Sequence, residues 1–368
     1  MILKQIDILN YKNIGAATLD FSEGVNCLLG MNGMGKSNLL DAIHLLCMAR
    51  PMNSLPDSAL LKHGEELLLV KGTYLTDAGG TDTISCGIAK GKRKSLKRNG
   101  KEYGRLSEHI GRYPVVIATP EDSRIVSGSG EERRKLIDMV ISQAHPDYLG
   151  ALIRYNRSLE SRNKMLRAGV KDSLLFESIE TSMADSAKLI HYTRKEWTLQ
   201  MAPVIEEVYN RIAGNREKTQ IRYKSQLNDS DLPALLNSRR AKDQILGFTS
   251  AGIHRDDIEA SLDGYSLKNL GSQGQLKTFA VALRLAIFSY LKNQKGITPL
   301  LLLDDIFDKL DADRVANIMH EVSESENFGQ IFITDTNRKH LDDILSEIKG
   351  PRSLINVDNG QFSILDYN

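Results

Sequence analysis

Apolar and polar residues alternate through Ile2-Leu3-Lys4-Gln5-Ile6-Asp7-Ile8, the period of a half-buried strand. Ala17–Phe21 repeats the pattern and predicts a hairpin partner, and Val25-Asn26-Cys27-Leu28-Leu29 is a short apolar run that predicts a buried strand. Beyond a Gly-rich stretch, Ser37–Leu46 places its apolar residues at helical spacing. Leu67–Tyr74, Thr83–Ala89 and Val115–Ala118 read as strands, and Arg98-Asn99-Gly100-Lys101 as a type I′ turn. From Gly130 the text changes: residues 131–215 are rich in Leu, Arg, Lys, Glu and Ala, with Leu136, Ile137, Val140 and Ile141, then Leu149, Leu152, Ile153 and Leu159, at helical spacing. This predicts a helical insertion lobe over 125–240 that splits one domain into 1–124 and 241–368. No heptad seam is sustained, so a long coiled coil is not expected. Residues 245–270 return to strand-like text. An amphipathic helix over Gly274–Leu291, a strand at Leu300–Leu303, a helix near 312–322 and a strand at Gln330–Thr334 follow. The fold class expected is α/β, with mixed sheets and a mainly helical inserted lobe.

Composition narrows the partners. The 368 residues suffice for two domains, and 41% hydrophobic with 26% charged residues is ordinary for a soluble globular chain. No apolar run approaches the roughly 18 residues a membrane span needs. The N-terminus lacks a basic stretch followed by an apolar core, so a cytoplasmic protein without membrane contact is expected. Cys27, Cys47 and Cys86 show no metal-ligand spacing. With 48 Lys and Arg against 47 Asp and Glu, the net charge of +1 announces no nucleic acid, so such a partner must be held by local patches. Lys90, Lys92, Arg93, Lys94, Lys97, Arg98 and Lys101 crowd one hairpin; Arg154, Arg157, Arg162, Lys164 and Arg167 crowd one predicted helix. Each cluster reads either as a solvated face or as a set of backbone contacts to DNA with little sequence specificity.

The candidate chemistry lies in three separated motifs. Gly30-Met31-Asn32-Gly33-Met34-Gly35-Lys36-Ser37 fits a phosphate loop, between a predicted strand and a predicted helix as that motif requires. Its backbone N–H groups can cradle phosphate, Lys36 can face the β- and γ-phosphates, and Ser37 can bind Mg²⁺. Leu300-Leu301-Leu302-Leu303-Asp304-Asp305 reads as a buried strand ending in two carboxylates, the Walker B pattern. Asp304 is expected to hold Mg²⁺ through water, and Asp305 to polarise the attacking water. Because Asp is one methylene shorter than the Glu commoner there, slow hydrolysis suited to a switch is expected. Gly271-Ser272-Gln273-Gly274-Gln275 looks like the signature loop of the ABC-type ATPases. Ser272, Gly274 and Gln275 would then cap the nucleotide of a second subunit, since in such folds this loop lies too far from its own chain's phosphate loop. Asp308-Lys309-Leu310-Asp311 stands at the spacing of the D-loop. A switch histidine is missing, so Thr334-Asp335-Thr336-Asn337 would sense the γ-phosphate with a hydroxyl or amide. His254 reads as a satisfied structural histidine or as part of the nucleotide interface.

These residues together resemble the RecF family of bacterial recombination repair. The resemblance is carried by Asn10-Tyr11-Lys12-Asn13, the phosphate loop, Asn38-Leu39-Leu40-Asp41-Ala42-Ile43, Pro120-Glu121-Asp122, Gly128 and Arg133-Arg134-Lys135-Leu136-Ile137-Asp138. It continues through Tyr155-Asn156-Arg157 to Arg162-Asn163, His254-Arg255-Asp256-Asp257, Ser272-Gln273-Gly274-Gln275 and Asp304-Asp305. The chain departs from that pattern at Ile253, where the family usually has Pro, and in a sparse switch region. The resemblance implies a weak, DNA-stimulated ATPase with ATP and Mg²⁺ as cofactors and Lys12 and Asn13 among the nucleotide-binding residues. It also implies an ATP-dependent homodimer, DNA at single-strand gaps or duplex, a RecR-like mediator, and help in loading a RecA-type recombinase. A nucleotide-dependent interaction protein of a defence or other non-repair system stays open. A transporter subunit would usually keep a switch histidine and lack the insertion, and an SMC or Rad50 relative would need a long coiled coil.

Overall fold

The structure, a computed structural model, describes residues 1–53, 55–214, 217–307, 312–323, 328–348 and 350–365. Its contacts divide the chain into one unit of Met1–Asp122 with Ile287–Asn368 and another of Ser123–Ala286.

The first unit holds two sheets. A 6-stranded antiparallel sheet runs in the order Ile14–Asp20, Ile2–Tyr11, Leu67–Leu75, Thr81–Ala89, Ser95–Arg98, Lys101–Glu102. Ile6 and Ile8 of its long strand share the buried face, as the alternation requires; Leu3, across a register shift between Leu3 and Gln5, and Tyr11 at the strand's end are buried as well. The second strand of the hairpin begins at Ile14, ahead of the pattern, because Gly15 and Ala16 extend the pairing without adding apolar bulk. The other sheet runs in the order Gln361–Leu365, Arg352–Asp358, Val25–Leu29, Ile331–Asp335, Leu300–Asp304, Val115–Ala118. All its pairs are parallel except the C-terminal hairpin. Strands Leu300–Asp304, Ile331–Asp335 and Val115–Ala118 are buried along their whole length, which is why their text is continuously apolar. Helix Lys36–Met48 packs against strands of both sheets and buries Leu39, Leu40, Ile43, Leu45 and Leu46.

The second unit is mainly helical. Helix Pro146–Arg167 packs along the 41-residue helix Ser173–Ala213, whose Phe176, Met183, Ala187, Ile190, Trp197, Met201, Ile205, Val208 and Ile212 are buried. Helices Gly130–Ala144 and Leu232–Leu246 complete the bundle. Helix Gly130–Ala144 opens with the Ser129–Glu132 capping box. A 3-stranded antiparallel sheet joins Thr219–Lys224, Asp257–Leu262 and Tyr265–Ser266. The composition-based lobe ended at 240; the contact boundary lies at 286, inside helix Gln273–Lys295. The pairing of Thr219–Lys224 with Asp257–Leu262 is what carries residues beyond 240 into this unit.

One expectation about charge needs correction. Arg162 was counted in an exposed basic cluster, yet it is 0% exposed. It donates to Glu180 Oε1 at 2.9 Å, to Asp243 Oδ2 at 2.8 Å and to Thr249 Oγ1 at 2.9 Å. A buried guanidinium needs such partners, and here they tie three helices together. Arg154, Arg157, Lys164 and Arg167 are exposed, Lys164 pairing with Glu160 at 2.7 Å. In the basic hairpin, Lys94 pairs with Asp57 at 2.8 Å and Arg98 with Asp82 at 2.9 Å. Lys90, Lys92, Arg93, Lys97 and Lys101 are exposed. Among the described residues no helix is long and apolar enough to cross a membrane.

Candidate functional site

Strand Val25–Leu29 runs into the Gly-rich loop, and helix Lys36–Met48 leaves it. Gly35 caps that helix at φ 117°, a left-handed conformation that a side chain resists. A Cβ there would also meet Asn13 Oδ1 at 3.0 Å. The first helical turn carries no acidic residue, so the positive end of the helix is open to an anion. Met31, Asn32 and Gly33 lie at the exposed crest of the loop. The Lys36 ammonium donates to the carbonyls of Gly30 and Met31, the latter at 3.0 Å. Burial lowers the Lys36 pKa, while the charges of Asp305, Asp304 and Asp335 work against that shift.

The Walker B strand meets this loop. Ser37 Oγ donates to Asp304 Oδ1 at 2.9 Å, and Thr334 Oγ1 donates to the same oxygen at 2.7 Å. Thr334 comes from strand Ile331–Asp335, which lies between the strands that end in the phosphate loop and in Asp304. Burial raises the Asp304 pKa, and the hydrogen bonds from Thr334 and Ser37 and the charge of Lys36 oppose the rise. Asp305 follows at φ 47°, a conformation uncommon outside glycine. Its N–H reaches Thr334 Oγ1 at 3.0 Å, so one threonine braces both carboxylate residues. Between loop and carboxylates lies a recess of about 130 Å³. Its N–H groups, ammonium and hydroxyl can donate to phosphate, and its hydroxyl and carboxylate oxygens suit a hard, oxygen-seeking cation.

Two supports of this loop come from elsewhere. Asn13, named through the family resemblance, donates to Gly33 O at 3.3 Å and accepts from Asn38 Nδ2 at 2.8 Å. Its neighbour Lys12 pairs with Asp41 at 2.6 Å, where Tyr11 also donates at 2.7 Å. The other support had no counterpart in the sequence reading. The C-terminal hairpin turn Asn359-Gly360 lies against the loop, with Gly360 N–H donating to Met34 O at 2.8 Å. A Cβ at Gly360 would sit 2.7 Å from Asn13 O. The Asn-Gly pair between alternating residues was a legible turn signal.

Asp335 and Asn337 of the switch segment have their own partners. Asp335 accepts from Asn337 N–H at 2.8 Å and lies 3.1 Å from His340 Nδ1. Asn337 caps the helix Arg338–Glu347. The predicted D-loop, Asp308-Lys309-Leu310-Asp311, lies outside the described residues.

The signature segment belongs to the second unit. Ser272 Oγ accepts from Gln275 N–H at 3.2 Å, while Gln275 Oε1 accepts from Ser272 N–H at 2.8 Å. This reciprocal cap opens helix Gln273–Lys295. Gly274 lies in its first turn, its carbonyl accepting from Thr278 Oγ1 at 2.8 Å.

In the same unit, His254 is a satisfied structural group. Nδ1 lies 2.8 Å from Tyr155 OH and Nε2 3.0 Å from Thr249 O, and burial pushes the ring pKa down to about 4. Asp256 accepts from Arg194 at 2.9 Å, and Asp257 accepts from Arg133 through both its oxygens, at 2.6 and 2.9 Å. The motif residues 254–257 thus hold the lobe together, except for Arg255, which is exposed beside Phe248.

A profile described as the AAA ATPase domain matches residues 1–85. The DNA replication and repair protein RecF of Parabacteroides distasonis is 44% identical over 361 residues, 98% of this chain and 98% of that protein. The recombination mediator protein RecF-ATP of the RecFOR pathway superposes with a TM-score of 0.88 at 30% identity, covering 99% of each chain. An Smc head domain from Pyrococcus furiosus gives a TM-score of 0.59 at 18% identity over 100% of this chain and 96% of that one, a likeness of fold alone. The fold is that of an ABC-type ATPase head with an inserted helical lobe.

Proposed function

This chain belongs to the RecF family of DNA replication and repair proteins, and from that premise we propose that it is an ATP-operated, DNA-binding switch. One observation carries the reading: Ser37 of the glycine-rich loop and Asp304 at the end of the buried strand share a hydrogen bond of 2.9 Å and line one recess of about 130 Å³. In this reading Gly30 to Ser37 bind the phosphates through backbone N–H groups, and Lys36 exchanges its loop carbonyls for phosphate oxygens. Ser37 and Asp304 would hold Mg²⁺, which when bound would supply positive charge to the phosphate oxygens. Asp305 orients the attacking water from a fixed, strained backbone. Its short side chain supports slow turnover.

The other half of the site comes from a second copy. Ser272, Gly274 and Gln275 of one subunit cap the nucleotide held by the other, so ATP drives dimerisation and hydrolysis reverses it. The dimer holds DNA at a single-strand gap or duplex through exposed cations such as Lys90, Lys92, Arg93, Lys97 and Lys101, contacts that act on the backbone and weaken with salt. A RecR-like mediator and, through it, a RecA-type recombinase are the partners that family membership supports, in the cytoplasm.

A gel shift on gapped and duplex DNA with and without Mg-ATP tests this reading. ATP-dependent retardation that weakens steeply with salt is expected. Dimerisation in ATP with no DNA retardation at low salt would instead favour an interaction protein outside repair.

A further inference from the structure

Glu217 stands between the long lobe helix and the signature loop. Its Oε1 accepts from Gln275 Nε2, and its Oε2 accepts from the hydroxyl of Tyr209, which is 0% exposed near the end of helix Ser173–Ala213. Tyr209 also faces Phe279 of helix Gln273–Lys295, ring centroids 6.4 Å apart. Glu217 itself is anchored. The next residue, Lys218, donates its N–H to Asp263 Oδ1 at 2.9 Å and accepts from Asp263 N–H at 2.9 Å, and strand Thr219–Lys224 then pairs with Asp257–Leu262.

Glu217 takes up the one donor that the cap leaves over, the NH₂ of Gln275, and so holds that amide in place. An ionised carboxylate only accepts, so Gln275 must turn its NH₂ toward Glu217 and its carbonyl oxygen toward Ser272 N–H. Ser272 Oγ accepts from the backbone N–H of Gln275, which can only donate, so the hydroxyl's own proton is directed elsewhere. The outward hydroxyl is therefore prepared as a donor, the role an anionic phosphate oxygen requires. Both Glu217 oxygens are engaged, which reduces the field this carboxylate would oppose to an approaching phosphate.

We propose that Glu217 is a positioning residue for the composite nucleotide site: it sets the signature cap through Gln275 and, through Tyr209, ties that cap to the long helix of the lobe. A shift of that helix would then reach the nucleotide through this carboxylate. The inference rests on the reading above that the signature loop caps the nucleotide of a second copy.

The test uses the full chain and three readouts: monomer affinity for a fluorescent ATP analogue, dimer fraction in Mg-ATP by sedimentation, and steady-state kcat. Glu217→Ala should keep ATP affinity within about twofold, lose the ATP-dependent dimer, and lower kcat about tenfold or more. Glu217→Gln should restore both, because its carbonyl accepts from Gln275 at the same reach. Tyr209→Phe removes only the hydroxyl and should move dimer fraction and kcat in the same direction by less; it serves as the test if Glu217→Ala loses its helical circular dichroism. Parent-like dimerisation and turnover in Glu217→Ala, with Ser272→Arg unable to dimerise, would overturn the role of Glu217 and leave the signature loop in place. Parent-like dimerisation in both variants would overturn the reading and the inference together. Failure of Glu217→Gln to restore either quantity would reduce Glu217 to packing.

Discussion

Ser37 and Asp304 are 267 positions apart in the chain, yet the Ser37 hydroxyl donates to the Asp304 carboxylate at 2.9 Å. The parallel sheet makes this meeting inevitable. The strand before the phosphate loop and the strand that ends in Asp304 both flank Ile331–Asp335, and all three deliver their carboxyl ends to one edge. That edge is where open α/β sheets place ligands.

Binding and turnover separate along this edge. Lys36→Ala removes the cation of the loop and should weaken ATP binding on the order of a hundredfold, with loss of ATP-dependent dimerisation. Asp305→Asn keeps shape but cannot accept a proton, so hydrolysis should fall about a hundredfold or more while ATP binding survives and the dimer persists. Equilibrium binding and single-turnover hydrolysis of the two variants check this; equal turnover in Asp305→Asn and the parent would place the water on another residue.

Arg162 carries a stability prediction. Truncating it leaves Glu180 to Arg240, at 2.6 Å, but strands Asp243, which is 0% exposed and otherwise meets only the uncharged donors of Ser250. Arg162→Met should cost about 3–5 kcal/mol in urea unfolding, because a buried pair that loses one partner leaves an uncompensated charge. Arg157→Ala, at an exposed position of the same helix, should change stability by less than about 0.5 kcal/mol. A small loss in Arg162→Met would mean that water reaches Asp243.

Acid should weaken the fold before ordinary carboxylates titrate. Burial pushes His109 and His254 down to about 4, against an ordinary value near 6.5. As pH falls below about 6.5 the unfolded chain takes up these protons and the folded chain does not, so stability declines until about pH 4 and levels below it. Each ring accounts for up to about 3 kcal/mol. Asp256 and Asp304, which burial pushes up, act in the opposite sense only where carboxylates begin to protonate. Urea midpoints at pH 7 and 5.5 should therefore differ, and His109→Gln should flatten the difference. An unchanged midpoint in the parent would show that both rings titrate near their ordinary value.

The sequence was most legible where chemistry is contiguous. Gly30 to Ser37 and Leu300 to Asp305 name their own elements, and Asn99-Gly100 forms the predicted turn with φ 51° and 79°. Pairing across distance was not legible. Arg162 looks like its exposed neighbours until Glu180 and Asp243, 18 and 81 positions away, are seen to enclose it. The extent of the lobe was hidden for the same reason, since Thr219–Lys224 finds its partner strand only after an intervening helix. Thr334 stood inside a segment expected to sense phosphate, but its hydroxyl is held between Asp304 and the Asp305 N–H. Periodicity reports which way a residue faces; it does not report what faces it.

The central claim is that one copy's phosphate loop and another's signature loop make one ATP site, and sedimentation velocity of Ser272→Arg in Mg-ATP tests it most directly. The variant should bind ATP as the parent does and remain monomeric, because the arginine occupies the place of the partner's phosphate. A Ser272→Arg chain that forms the ATP-dependent dimer as fully as the parent would contradict the account.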